Sequence, residues 1–157
     1  MPYLIDGHNL IPKIPGLSLE MLDDEDRLIE LLQEFSRVRR QRVEVFFDQA
    51  PPTRGGKKMA GTVGVHYVRS GKTADQAIVD RLRQLGKNAR TWTVVTSDRQ
   101  VRSEAREREA RLVSSEEFAV QLGKARQEAQ TAQKEDPAPP GPDELDEWLR
   151  LFGKRKS

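Results

Sequence analysis

Two hydrophobic rhythms alternate along this chain. Short apolar runs, rich in β-branched and aromatic residues, occur at Tyr3-Leu4-Ile5, Val43-Glu44-Val45-Phe46-Phe47, Thr62-Val63-Gly64-Val65-His66-Tyr67-Val68 and Thr91-Trp92-Thr93-Val94-Val95. Runs of that length and composition predict strands. Between the first two, Leu22, Leu28, Ile29, Leu32, Phe35 and Val38 recur at helical spacing, with acids at the start and Arg37, Arg39 and Arg40 at the end. The spacing predicts a helix from Leu19 to Arg40 whose charges suit its dipole at both ends. Ala77, Ile78, Leu82 and Leu85 predict a second helix, with Thr73 as N-cap and Gly86 as its stop. Val101 to Glu109 predicts a short charged helix and Arg111-Leu112-Val113 an edge strand. Ser114-Ser115-Glu116-Glu117 then caps a helix carrying Phe118, Val120 and Leu122. Gln49 to Gly61, with two prolines and three glycines, predicts no regular element.

Strand and helix alternating in this way argue an α/β fold, a mainly parallel central sheet with helices on both faces. The 157 residues suffice for one ordinary domain, placed at residues 1–125. Residues 126–142, rich in Gln and Ala and then in Pro, read as a linker. Residues 143–157 read as an amphipathic helix with Leu145, Trp148, Leu149 and Phe152 on one side, followed by the basic tail Lys154-Arg155-Lys156. So short a helix needs a surface to dock on: the domain itself, a second copy in a homodimer, or a protein partner.

Composition narrows the chemistry. There is no apolar run long enough to span a membrane and no charged-then-apolar leader, so a cytoplasmic protein is expected. The absence of cysteine excludes disulfides, thiolate metal sites and a cysteine nucleophile. Only His8 and His66 are available as imidazoles, so a metal site would be built mainly from oxygen, which favours Mg²⁺ or Mn²⁺ over zinc. A net charge of +2 says little, but its distribution says more: no Asp or Glu occurs from Gln49 through Ala74, where Arg54, Lys57, Lys58, Arg69 and Lys72 fall. Such a segment suits a polyanion, since flexible cations bind phosphate without reading sequence. Its plain alternative is a solvated loop.

The acids are placed more pointedly. Asp6, Asp48 and Asp98 each follow an apolar strand, and Asp75 opens a helix that should sit over the same sheet edge, where open α/β folds bind ligands. Each alone also reads as a turn or cap residue, and Asp48 is followed by a loop and not by a helix start. Recurrence at one topological position is what points to a shared site. Clustered carboxylates raise one another's pKa unless a cation lies between them. A divalent ion with waters would answer that, and such an ion activates water and steadies a phosphodiester under cleavage. Asn9 reads either as a contact to phosphate or as a turn stabiliser, with Gly7 as the tight turn that lets it face the edge. Thr96 and Ser97 offer hydroxyls to phosphate or simply shape a turn. His8 reads as a bystander.

Taken in order, Ile5-Asp6-Gly7-His8-Asn9-Leu10-Ile11, Phe47-Asp48, Thr73-Ala74-Asp75-Gln76 and Val95-Thr96-Ser97-Asp98-Arg99 resemble the motifs of the YacP-like NYN domain proteins, relatives of the PIN-domain nucleases. The resemblance covers residues 2 to 122 and implies a three-layer α/β/α PIN-like fold. It implies an Mg²⁺- or Mn²⁺-dependent RNA endonuclease, some relatives cutting mRNA on the ribosome. It makes Asp6, Asp75 and Asp98 the metal-binding and catalytic acids, with Asp48 as a further candidate and Asn9 beside them. Lys57, Lys58, Arg69, Lys72, Thr96, Ser97 and Arg99 are the expected substrate contacts. Where relatives usually have an aromatic residue, His8 stands here. The rivals are a non-catalytic RNA- or ribosome-binding module and a receiver-like phosphotransfer domain acting through Asp48.

Overall fold

The first strand, β1 (Tyr3–Asp6), lies inside a sheet covered on both faces, which is why Leu4 and Ile5, pointing in opposite directions, are both fully buried. The computed structural model describes residues 2–19, 23–50, 56–69 and 71–135. The helix expected at residues 143–157, residues 136–142 of the linker, and Arg54 lie outside the described residues. A short helix α1 (Gly7–Leu10) and a 3-10 turn (Ile11–Lys13) lead to α2 (Asp24–Arg39), then β2 (Val43–Ala50), β3 (Gly56–Ala60) and β4 (Val63–Arg69). Helix α3 (Ala74–Leu85), a 3-10 turn (Gly86–Thr91), β5 (Thr93–Val95), α4 (Arg99–Glu107), β6 (Arg111–Val113) and α5 (Ser115–Glu135) complete the described chain.

The sheet runs β3-β4-β2-β1-β5-β6, parallel throughout except for β3. On one face Ile5, Val45, Phe47, Val65 and Val95 pack against α2 and α5; on the other Leu4, Phe46, Val68 and Val94 pack against α3 and α4. The three-layer α/β/α arrangement expected from the strand–helix alternation is therefore present. Tyr3, Phe35 and Phe118, with ring centroids 5.0 to 5.4 Å apart, lock α2 and α5 onto β1. No helix among the described residues is long and apolar enough to cross a membrane.

Two expectations are corrected. Gly56 to Ala60 is a strand, not part of an irregular loop, and pairs antiparallel with β4 through the turn at Gly61. Its Gly-Lys-Lys-Met-Ala sequence carries no apolar alternation because an edge strand buries little, and its lysines blunt that edge. Residues 126–135, expected to begin the linker, continue α5. Ala125 and Ala129 extend the buried stripe of Phe118 and Leu122, and the hydrophobic pattern fades there only because close packing on α2 calls for small side chains.

Candidate functional site

Register fixes where the acids arrive. Asp6 is level with Phe46 of β2 and Ile5 with Val95 of β5, so Asp6, Asp48 and the Thr96–Asp98 turn share the carboxyl edge of three neighbouring strands. Helix α3 starts over that edge, its first turn set by a capping box between Thr73 and Gln76. Asp48 adds a second tether, its Oδ2 accepting from the Ala74 N–H at 3.3 Å. The carboxyl of Asp75 thereby reaches those of both Asp6 and Asp98.

Asp6 is only 7% exposed. Burial first, and then the hydrogen bond and charge of Asp75, push its carboxyl up to about 7, against a smaller opposing bond from the Asn9 N–H. Asp75 is also raised, by burial and by the charges of Asp98 and Asp48, although its bond with Asp6 pulls the other way. Asp98 both caps α4, its Oδ1 accepting from the Gln100 and Val101 N–H groups at 3.0 Å, and faces Asp75.

Several neighbours are placed differently from the sequence reading. His8 is no bystander. Its Nδ1 donates to Asp48 at 2.9 Å and its Nε2 to Glu25 at 2.6 Å, and the Glu25 bond, against the cost of burial and with help from Asp48, holds the imidazolium up to about 9. It is therefore a fixed cation beside the acids at neutral pH, with Asp48 committed to it and to α3. Thr96, expected as a substrate contact, is fully buried; its hydroxyl accepts from the Asp98 N–H at 3.1 Å and shapes the turn. The Asn9 side-chain oxygen accepts from the Ser97 N–H at 3.1 Å and from the buried Ser115 hydroxyl, tying α1 to the Asp98 turn and to α5.

Gly7 is not the tight turn expected of it but the first residue of α1. What it supplies is space, since a Cβ there would lie 2.3 Å from Phe47 Cε1 and 3.1 Å from the Phe46 carbonyl oxygen. Gly7→Ala is accordingly expected to cost about 1–3 kcal/mol by overpacking, read from urea unfolding; a variant as stable as the parent would remove this account of Gly7.

The remaining expected contacts are surface residues. Lys57, Lys58, Arg69, Lys72, Ser97 and Arg99 are all exposed; Lys72 pairs with Asp80 at 2.5 Å, and Lys58 sits 5.4 Å from the Tyr67 ring centroid. Glu25, Ser115 and Glu44 are the residues that sequence reasoning missed. Glu44 alone left a signal, a carboxylate inside an otherwise apolar run of strand residues.

Among the described residues, no three His, Asp or Glu side chains are drawn together as a ready-made metal cage. Magnesium needs less than that, because it commonly takes one or two carboxylates and fills its octahedron with waters and substrate phosphates. The paired, charge-strained carboxyls of Asp6 and Asp75 fit that demand.

The sequence profile of the YacP-like NYN domain matches residues 3–150. Among solved structures the chain is similar to Rae1 (YacP) from Bacillus subtilis, with 24% identity, a TM-score of 0.70, and 96% of this chain and 91% of that chain covered. It is likewise similar to the W164L mutant of the same protein, with 23% identity, a TM-score of 0.71, and 92% and 88% covered. No curated protein matches significantly.

Proposed function

We propose that this chain, which belongs to the YacP-like NYN domain family, is a divalent-metal-dependent endoribonuclease that hydrolyses phosphodiester bonds within RNA. Membership brings a PIN-like fold and an RNA-related nuclease function. The cation and the residue roles rest on one observation: a nearly buried Asp6 is held against Asp75, with Asp98 beside it. Such crowding costs folding energy that a structural role would not require.

In this reading Asp6 and Asp75 hold the cation, with Asp98 alongside. When bound, a Mg²⁺ or Mn²⁺ ion supplies activation of water and neutralises charge on the scissile phosphate. The chain's own groups do the rest. Asp48 and His8 fix the start of α3 and hence Asp75, and Asn9 joins α1 to the Asp98 turn. Lys57, Lys58, Arg69 and Arg99, exposed at the surface, grip the phosphate backbone.

The test is an end-labelled single-stranded or hairpin RNA incubated with Mn²⁺ or Mg²⁺. Internal cuts are expected with the ion and none after chelation, and the ion alone should raise the melting temperature by binding the folded state. RNA binding without turnover across a panel of RNAs and ions would favour the non-catalytic alternative. Ribosome-associated mRNA is a natural substrate to include, with co-sedimentation as its measurement.

A further inference from the structure

Beside the carboxylate edge, between β4 and α3, lies a second cleft of about 400 Å³ whose aromatic lining the reaction above does not use, within the roughly 300–1,000 Å³ typical of ligand clefts. Phe46 and His66 line it, and Lys57, Arg69 and Lys72 stand around it. His66 is the one partly exposed position from Val63 to Val68, the others being buried. Its ring lies flat on Phe46, with centroids 4.3 Å apart and planes 9° from parallel. Its Nε2 donates to Glu44 at 3.1 Å.

That carboxylate already has a bidentate partner in Arg81, with Nε and Nη2 both at 3.0 Å, so His66 is not needed to prevent an unpaired buried charge. The bond instead fixes the ring plane. Gly64 lets the Lys57 and Glu44 side chains pack close over the strand, since a Cβ there would lie 3.3 Å from the Lys57 Cε and 3.6 Å from the Glu44 Cγ. A locked aromatic ring, partly exposed and ringed by cations, is how proteins hold an unstacked base: the ring takes the base and the cations take its phosphates. Lys72 borders both this cleft and the one containing Asp75, so a single strand can pass from one to the other across the start of α3.

We infer that the Phe46–His66 cleft is a stacking subsite for one unpaired nucleobase of a single-stranded RNA whose backbone crosses the carboxylate edge. The inference rests on the nuclease reading for its substrate, but its readout is binding and not cleavage.

The experiment uses the full chain in chelator, so that nothing is cut, and short single-stranded RNAs carrying 2-aminopurine, whose fluorescence is quenched by stacking. The unaltered chain should quench it. His66→Ala should bind about tenfold more weakly, within the range a base–aromatic stack contributes, and lose the quenching; His66→Phe should retain both. Circular-dichroism melts establish that the variants are folded. An abasic RNA of equal length, offered to the unaltered chain, tests the same point without any substitution and should also bind about tenfold more weakly. Unchanged affinity and quenching in a folded His66→Ala, or equal affinity for abasic and normal RNA, overturns the subsite and leaves the nuclease reading intact. Base quenching with no cleavage of any RNA under any divalent ion supports the subsite and removes the nuclease.

Discussion

Asp6→Asn should abolish cleavage while making the metal-free protein more stable at neutral pH. The loss of activity should be about 10³-fold or more, because in the proposed mechanism the position supplies one of the two close carboxylates that hold the ion, whose contribution would be several kcal/mol. The gain in stability has the opposite sign for the same physical reason. In the folded chain Asp6 titrates at about 7 rather than 3.8, because it is buried and faces Asp75. An acid raised on folding favours the native state only while it is protonated. Its contribution is complete below about pH 4, where the unfolded chain is protonated too, and is lost as pH rises to about 7, on the order of 4 kcal/mol in all. Asparagine stays neutral and escapes that loss. Thermal melts in chelator at pH 5 and pH 8 should show the parent losing stability with pH and the variant nearly level; added Mn²⁺ should restore the parent and leave the variant unmoved. A variant that cleaves at the parental rate, or whose melting follows the parent's through that window, would sink the assignment of Asp6.

Arg81→Met should be the most damaging single change outside the carboxylate edge, costing about 3–5 kcal/mol in urea or guanidinium unfolding. Glu44 is 2% exposed, one residue into β2. Burial alone would push its carboxyl up, yet the bonds from His66 and Arg81, together with Arg81's charge, hold it down to about 2. A carboxylate lowered in this way stabilises the fold above the unfolded value of 4.5, and that contribution is lost as pH falls from there toward 2. Removing the guanidinium leaves a buried charge with only His66, so the variant's deficit should be largest at neutral pH and shrink toward pH 4, where Glu44 can accept a proton. Replacing both partners, Glu44→Leu with Arg81→Met, should recover much of the loss, since no orphaned charge remains. A deficit below about 1 kcal/mol, or one that does not change with pH, contradicts this picture. The pair joins β2 to the helix whose first turn carries Asp75, so its integrity should also be visible in ion affinity.

Much of the fold could be read from the chain because local pattern and burial agree there. Leu4-Ile5, Val45-Phe46-Phe47 and Val94-Val95 are continuous apolar runs because both faces of the sheet are covered, and α2 and α3 announce themselves by spacing and caps. The pattern failed where burial was slight or side chains were small: β3 at the sheet edge, and the alanine-faced second half of α5. The acids at strand ends were equally legible, since strand order alone brings Asp6, Asp48 and Asp98 to one edge. Their division of labour was not. Asp48 spends both oxygens on His8 and on the Ala74 N–H, Thr96 turns inward, and His8 becomes a bound cation. Each of these depends on a partner between 2 and 40 positions away.

By itself, then, the sequence determined the α/β class, the family and the identity of the acids that meet, because periodicity and strand-end position are local properties carried by neighbouring residues. Only the tertiary structure decided which carboxyls touch, which are neutralised by His8 or Arg81, and that Gly7 is needed for the Phe47 ring. Those outcomes depend on distances between elements and on the desolvation that packing imposes, and neither exists until the chain has closed on itself.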